Sequence, residues 1–139
     1  MLKKALLLSS VAVSLFASMS AFSLDRLMPN QYITSGQRLD SARGCFHLDM
    51  QSDGNLVIYR SSNGQAIWSS KTQNTGTYFA VMQADGNFVT YNYAGKPTWN
   101  SRTNNHEGSW VVLQDDGNLV VYAYNSLRPL WSSGTVTHC

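Results

Sequence analysis

Gln51, Asp53, Asn55, Val57 and Tyr59 occupy alternate positions of the stretch "QSDGNLVIY", and the same five residue types recur at the same spacing in "QADGNFVTY" (83–91) and "QDDGNLVVY" (114–122). Together they offer a carboxylate, two amides, a phenol and a small apolar patch, which combines donors and acceptors around one hydrophobic contact. A neutral sugar asks for this combination. Asp53 can accept from a hydroxyl, Asn55 and Gln51 can donate and accept, Tyr59 can bond a further hydroxyl, and Val57 can cover the C–H face of a ring. Turn chemistry alone explains Asp and Asn at a corner, and a strand readily takes a Tyr. Neither gives a reason for Gln two residues before Asp and Tyr four residues after Asn in all three copies.

These groups can converge only if the chain folds back on itself. A straight nine-residue strand would hold Gln51 and Tyr59 about 26 Å apart at roughly 3.3 Å per residue. Asp-Gly between two alternating apolar/polar runs is a hairpin signal, and the runs in the first unit are "CFHLDMQ" and "NLVIYR", turning at Ser52 to Asn55. Gly54, Gly86 and Gly117 supply the permissive backbone at the corner. Strand alternation predicts that Phe46, Leu48, Met50, Leu56 and Ile58 face the core, with Met82 and Phe88 in the second unit and Val111, Leu113, Leu119 and Val121 in the third. Phe79, Trp110 and Val112 fall on outward faces, open to an oligomer contact, an extended glycan subsite or partial burial beneath a neighbouring loop.

The repeat organises the chain. Gln51, Gln83 and Gln114 are separated by 32 and 31 residues and Trp68, Trp99 and Trp131 by 31 and 32, and the units close alike in "AIWSS", "PTWNS" and "PLWSS". Three similar units predict pseudo-threefold symmetry, each burying one face against the other two.

Lys3 and Lys4 precede an apolar run from Ala5 to about Phe16 that ends in small residues, the pattern of a secretory signal peptide. Residues 1–23 are expected to be removed, with a second cleavage position after Ala21, and the two-lysine start has a bacterial style. The run is shorter than the roughly 20 residues that span a bilayer, so an exported protein, secreted or periplasmic, is expected rather than an inserted one. Residues 24–139 then form one domain with one core. Lys3 and Lys4 account for the formal +2 of the 139-residue chain, so the remainder is neutral. Nothing in it suggests a basic patch for nucleic acid or an anionic membrane. Cys45 and Cys139 can pair in an oxidising compartment, or Cys139 can bond another chain.

All three stretches fit Gln-x-Asp-x-Asn-x-Val-x-Tyr, and on these residues the chain resembles the monocot mannose-binding (bulb-type, snowdrop-like) lectins, as a bacterial secreted member. The similarity runs from about Gln31 to Thr137 and includes the Trp that closes each unit. It implies an all-β fold, β-prism II, with three four-stranded antiparallel sheets around a pseudo-threefold axis and the tryptophans near its centre. It also implies three mannose sites. Asp53 and Asn55 would bond the axial 2-hydroxyl, Gln51 the 3-hydroxyl and Tyr59 the 4-hydroxyl, with Val57 against the ring carbons. Gln83, Asp85, Asn87, Val89 and Tyr91 would form the second site, and Gln114, Asp116, Asn118, Val120 and Tyr122 the third. Members of this kind take no metal or other cofactor and do no chemistry on the sugar. The chain departs from plant members, which hold a disulfide within one unit using a cysteine between the motif's Asp and Asn; here glycine stands there each time. Many members exchange C-terminal strands to form homodimers, so the tail "GTVTHC" is expected either on its own domain or on a neighbour's.

An enzyme is disfavoured. A glycosidase needs paired carboxylates, yet each expected site contains one motif Asp. Asp115 and Asp116 are sequence neighbours that point to opposite faces of an extended strand. His47, His106 and His138 lack metal-ligand spacing. The alternative to a lectin is a lectin-like bacteriocin or a protein-interaction module on the same scaffold.

Overall fold

The computed structural model describes residues 23–139, so the expected signal peptide lies, except for Ser23, outside the described residues. Among the described residues, twelve strands form three antiparallel sheets of four. The first unit supplies β4 (Phe46–Met50), β5 (Leu56–Arg60) and β6 (Ala66–Ser69), and the second supplies β7 (Thr77–Met82), β8 (Phe88–Asn92) and β9 (Pro97–Asn100). The third supplies β10 (Trp110–Leu113), β11 (Leu119–Tyr122) and β12 (Pro129–Ser132). This is the expected prism.

The fourth strand of each sheet does not come from its own unit. The segment before the repeats contains β1 (Arg26–Leu27), β2 (Tyr32–Thr34) and β3 (Arg38–Asp40), which pair in turn with β10, β7 and β4 of three different sheets. Each short strand sends one apolar residue inward: Leu27, Ile33 and Leu39 are all buried. Their even six-residue spacing lets one extended segment visit the three sheets in succession.

Alternation places the core as expected. Phe46, Leu48, Met50, Leu56, Ile58, Met82, Phe88, Val111, Leu113, Leu119 and Val121 are all buried in one cluster. Trp68, Trp99 and Trp131 pack against it and meet one another edge to face, with ring centroids 5.2 to 5.7 Å apart. Such edge-to-face geometry places positive ring edges on negative ring faces, and it gives the threefold axis a closed aromatic plug.

Register carries the hairpins. β4 and β5 pair Met50 with Leu56 and His47 with Tyr59, and the corner is closed by Gln51 N–H to Asn55 O (2.9 Å) and Gly54 N–H to Gln51 O (3.0 Å). The same two bonds close the corners at Gln83 and Gln114. Gly54, Gly86 and Gly117 have φ of +91°, +93° and +85°, a region that L side chains enter only at a cost. The corner is crowded as well: a Cβ on Gly54 would stand 2.9 Å from Thr72 O, and one on Gly86 would overlap the His106 carbonyl.

The tail lies on its own domain. Thr137 N–H donates to Asp116 O (2.7 Å), as Asn74 N–H and His106 N–H donate to Asp53 O and Asp85 O in the other units. Arg60 donates to His138 O (2.6 Å) and Thr137 Oγ1 (3.0 Å), and Cys139 is disulfide-bonded to Cys45 of the same chain.

Candidate functional site

Each hairpin gathers its five motif residues into one cluster with the same hydrogen bonds. In the first, the Tyr59 hydroxyl donates to Gln51 Oε1. Gln51 Nε2 donates to Asp53 Oδ1 and Oδ2 (3.1 and 3.3 Å), and Asn55 N–H donates to Asp53 Oδ1 (2.9 Å). Tyr91, Gln83, Asp85 and Asn87 repeat this arrangement, as do Tyr122, Gln114, Asp116 and Asn118. Asn55, Asn87 and Asn118 sit just past the corner, each partly buried. The polar groups satisfy one another, so the cluster is held in shape before any ligand arrives. Lone pairs on the Asp and Tyr oxygens and amide hydrogens of Asn and Gln remain for hydroxyl groups.

The valines differ from the expectation. Val57, Val89 and Val120 were expected on the outward face, yet they are only 3%, 2% and 2% exposed. Register gives the reason. Tyr59 pairs with His47 but its hydroxyl reaches Gln51 at the corner, so its ring runs back across the Val57 position, which pairs with Asp49. The valine forms the floor of the cluster. Val112, also expected outward, is buried beside Val120, its cross-strand partner.

A supporting layer went unread in the sequence. Asn55 Oδ1 accepts from Thr72 N–H (3.2 Å) and the Ser70 hydroxyl (3.4 Å), Ser70 and Thr72 hydroxyls lie 2.7 Å apart, and the Thr72 hydroxyl donates to Gly54 O (2.6 Å). Ser101 and Thr103 support Asn87 in the same way, and Ser133 and Thr135 support Asn118. With its Oδ1 taken, each Asn is left with its Nδ2 hydrogens as donors, one of which Asn87 spends on Asn100. The signal was visible in "WSSKT", "WNSRT" and "WSSGT", where Ser-x-Thr follows the Trp that closes each unit. The residue between them is left-handed each time: Lys71 and Arg102 at φ +57°, Gly134 at +69°. Non-glycine residues held there are a form of strain found where a site must be shaped.

The clusters share one core and differ at the edges. Asn87 Nδ2 donates to Asn100 Oδ1 (3.3 Å), a bond specific to the second unit because Ser69 and Ser132 occupy the matching positions. The ring opposite the motif Tyr is His47, Phe79 and Trp110 in the three units, with centroids 5.4, 5.3 and 5.1 Å away. His47 Nδ1 lies 2.7 Å from Asp49 Oδ1. Arg26 lies 5.2 Å over Trp110, and its hydrogen bonds to Asp25 (2.7 and 3.0 Å) hold that carboxyl below its ordinary value. Open clefts adjoin two clusters, about 460 Å³ beside Gln51 and Asp53 and about 400 Å³ beside Gln114 and Tyr122. Among the described residues no group of three or more His, Cys, Asp or Glu is placed to hold a metal ion.

A three-sided prism of antiparallel sheets, with one polar cluster repeated on each side, defines the β-prism II class of lectin folds. No protein-family model matches the chain. A solved monomeric monocot mannose-binding lectin from Gastrodia elata is 37% identical, with a TM-score of 0.71 over 81% of this chain and 99% of that one. The mannose-specific agglutinin of snowdrop (Galanthus nivalis) bulbs, solved with methyl-α-D-mannoside, is 35% identical, with a TM-score of 0.66 over 81% and 98%. A mannose-specific lectin of Dendrobium findlayanum is 38% identical over 69 residues, 49% of this chain, and the chain spans only 39% of that relative's length. The chain belongs to the bulb-type lectin family.

Proposed function

We propose that the protein is an exported, non-catalytic lectin that binds mannose through three sites, one on each face of the prism. The observation that carries this reading is the identical closed network in all three hairpins, Tyr to Gln, Gln and Asn to Asp, and Ser-x-Thr to Asn. In it the Asp accepts, and the Asn Nδ2 donates, at the 2-hydroxyl. Gln serves the 3-hydroxyl, the Tyr oxygen serves the 4-hydroxyl, and the buried Val floor limits how deeply the ring can sit. The mannose specificity of the relatives supports the same choice.

Each site is shallow and weak alone. Three sites on one rigid prism act together on clustered glycans, because the first contact raises the effective concentration for the next. Export fits the Lys3-Lys4 start and apolar run, and the disulfide fits an oxidising compartment. The test is retention on immobilised mannan: mannose should elute the protein and galactose should not. Elution by both sugars alike, or passage without retention, contradicts the reading.

A further inference from the structure

Each motif Tyr lies beside a strand surface that continues away from its site, and the second unit builds that surface differently. Five residues before Gln51, Phe46 pairs with Arg60, the residue after the motif Tyr. In the second unit the corresponding partner of Asn92 is Thr77, six residues before Gln83, so one extra residue has been inserted. That residue is Tyr78, left without a partner in a register shift between Thr77 and Phe79. A bulge of this kind re-aims a side chain at the expense of one ladder pairing. Here it turns a tyrosine onto the face that Phe79 already occupies.

The result is a continuous run of rings. Phe79 stacks on the motif's Tyr91 (5.3 Å, 17°), Tyr78 meets Phe79 edge to face (4.7 Å), and Tyr93 stacks on Tyr78 almost in parallel (4.5 Å, 2°). Tyr32, from the strand paired to β7, meets Phe79 edge to face at 6.3 Å. Tyr32 and Tyr93 are 58% and 77% exposed. The matching positions in the first unit are Arg38, His47 and Ser61, and in the third Arg26, Trp110 and Tyr124, with no counterpart of Tyr78. Large exposed aromatic patches beside a polar cluster mark binding surfaces. The negative face of an aromatic ring attracts the polarised C–H groups of a pyranose.

Resting on the proposed sugar reading, we infer that the second site is an oligosaccharide site, with Tyr32, Tyr78, Phe79 and Tyr93 forming a ledge on which the residues next to the bound mannose lie. Continuity with the site through Tyr91 argues for this occupant, since a glycan seated on Gln83, Asp85 and Asn87 must leave the site over one of its edges.

The test uses the full domain with the other sites disabled by Asp53→Ala and Asp116→Ala. Titration calorimetry should show an α-mannotriose binding at least several-fold more tightly than methyl α-mannoside. Adding Tyr32→Ala and Tyr93→Ala, both at exposed positions, should remove most of that gain and leave methyl α-mannoside affinity unchanged. Ring-proton shifts of Tyr32 and Tyr93 should respond to the trisaccharide and not to the monosaccharide. An equal trisaccharide gain with and without the two tyrosines overturns the ledge while leaving the lectin reading intact. A concentration-dependent dimer that the two substitutions dissolve overturns it in favour of self-association. Failure of methyl α-mannoside to bind any variant or the unaltered protein removes the lectin reading and the ledge with it.

Discussion

The Tyr59 hydroxyl donates to Gln51 Oε1 across eight residues of chain, joining the two ends of the motif that a straight strand would hold far apart. Its replacement separates the roles of the cluster. Tyr59→Phe, Tyr91→Phe and Tyr122→Phe together should leave the fold intact, at about 0.5–1 kcal/mol per lost bond because the glutamines reach solvent. Mannose affinity should fall by about fivefold or more in calorimetry as the hydroxyl contact and the hold on Gln both go.

Thr72 touches the proposed sugar only through Asn55. In a variant retaining the first site alone (Asp85→Ala, Asp116→Ala), Thr72→Val should reduce mannose affinity by several-fold. It should also lower stability by about 1–3 kcal/mol, because Gly54 O loses its buried donor. Unchanged affinity in a folded Thr72→Val variant would show that Asn55 does not need this support.

Gly86 tests the corner. With φ +93° and a Cβ that would overlap the His106 carbonyl, Gly86→Ala should cost about 2 kcal/mol or more. Gly44, at φ +77° with open space around it, should cost about 1 kcal/mol when replaced by Ala. Thermal unfolding of the two variants gives the comparison, and equal losses would mean that backbone conformation matters and crowding does not.

The third site depends on the tail in a way the other two do not. Ser133 and Thr135 are only partly buried, whereas Ser70, Thr72, Ser101 and Thr103 are buried. The tail is held by Thr137 on Asp116, by Arg60 and by the Cys45–Cys139 disulfide. Replacing both cysteines by Ser should lower stability by about 2–5 kcal/mol, since the bridge closes a long loop. It should also weaken the third site selectively. Sugar-induced shifts of Asn118 should need more mannose than those of Asn55 and Asn87.

Much of this was legible in residue types and spacing. The motif, the hairpin corner and the inward residues could be read because a two-residue period and an Asp-Gly turn encode them locally. The first strands of the three sheets could not, since two or three residues such as Arg26–Leu27 carry no period; only the even spacing of Leu27, Ile33 and Leu39 hinted at them. Burial of Val57, Val89 and Val120 depends on where the Tyr ring lies, which follows from register and not from alternation. The Ser-x-Thr support lay in plain view, but its partner, the Asn of the preceding hairpin, is 14 to 17 residues away in sequence.

The central claim rests on Asp53, Asp85 and Asp116 as sugar acceptors, and one calorimetric comparison tests it most directly. The unaltered protein should bind methyl α-mannoside, and the triple variant Asp53→Ala, Asp85→Ala, Asp116→Ala, folded by circular dichroism, should bind none. Undiminished binding by that folded variant would contradict the assignment.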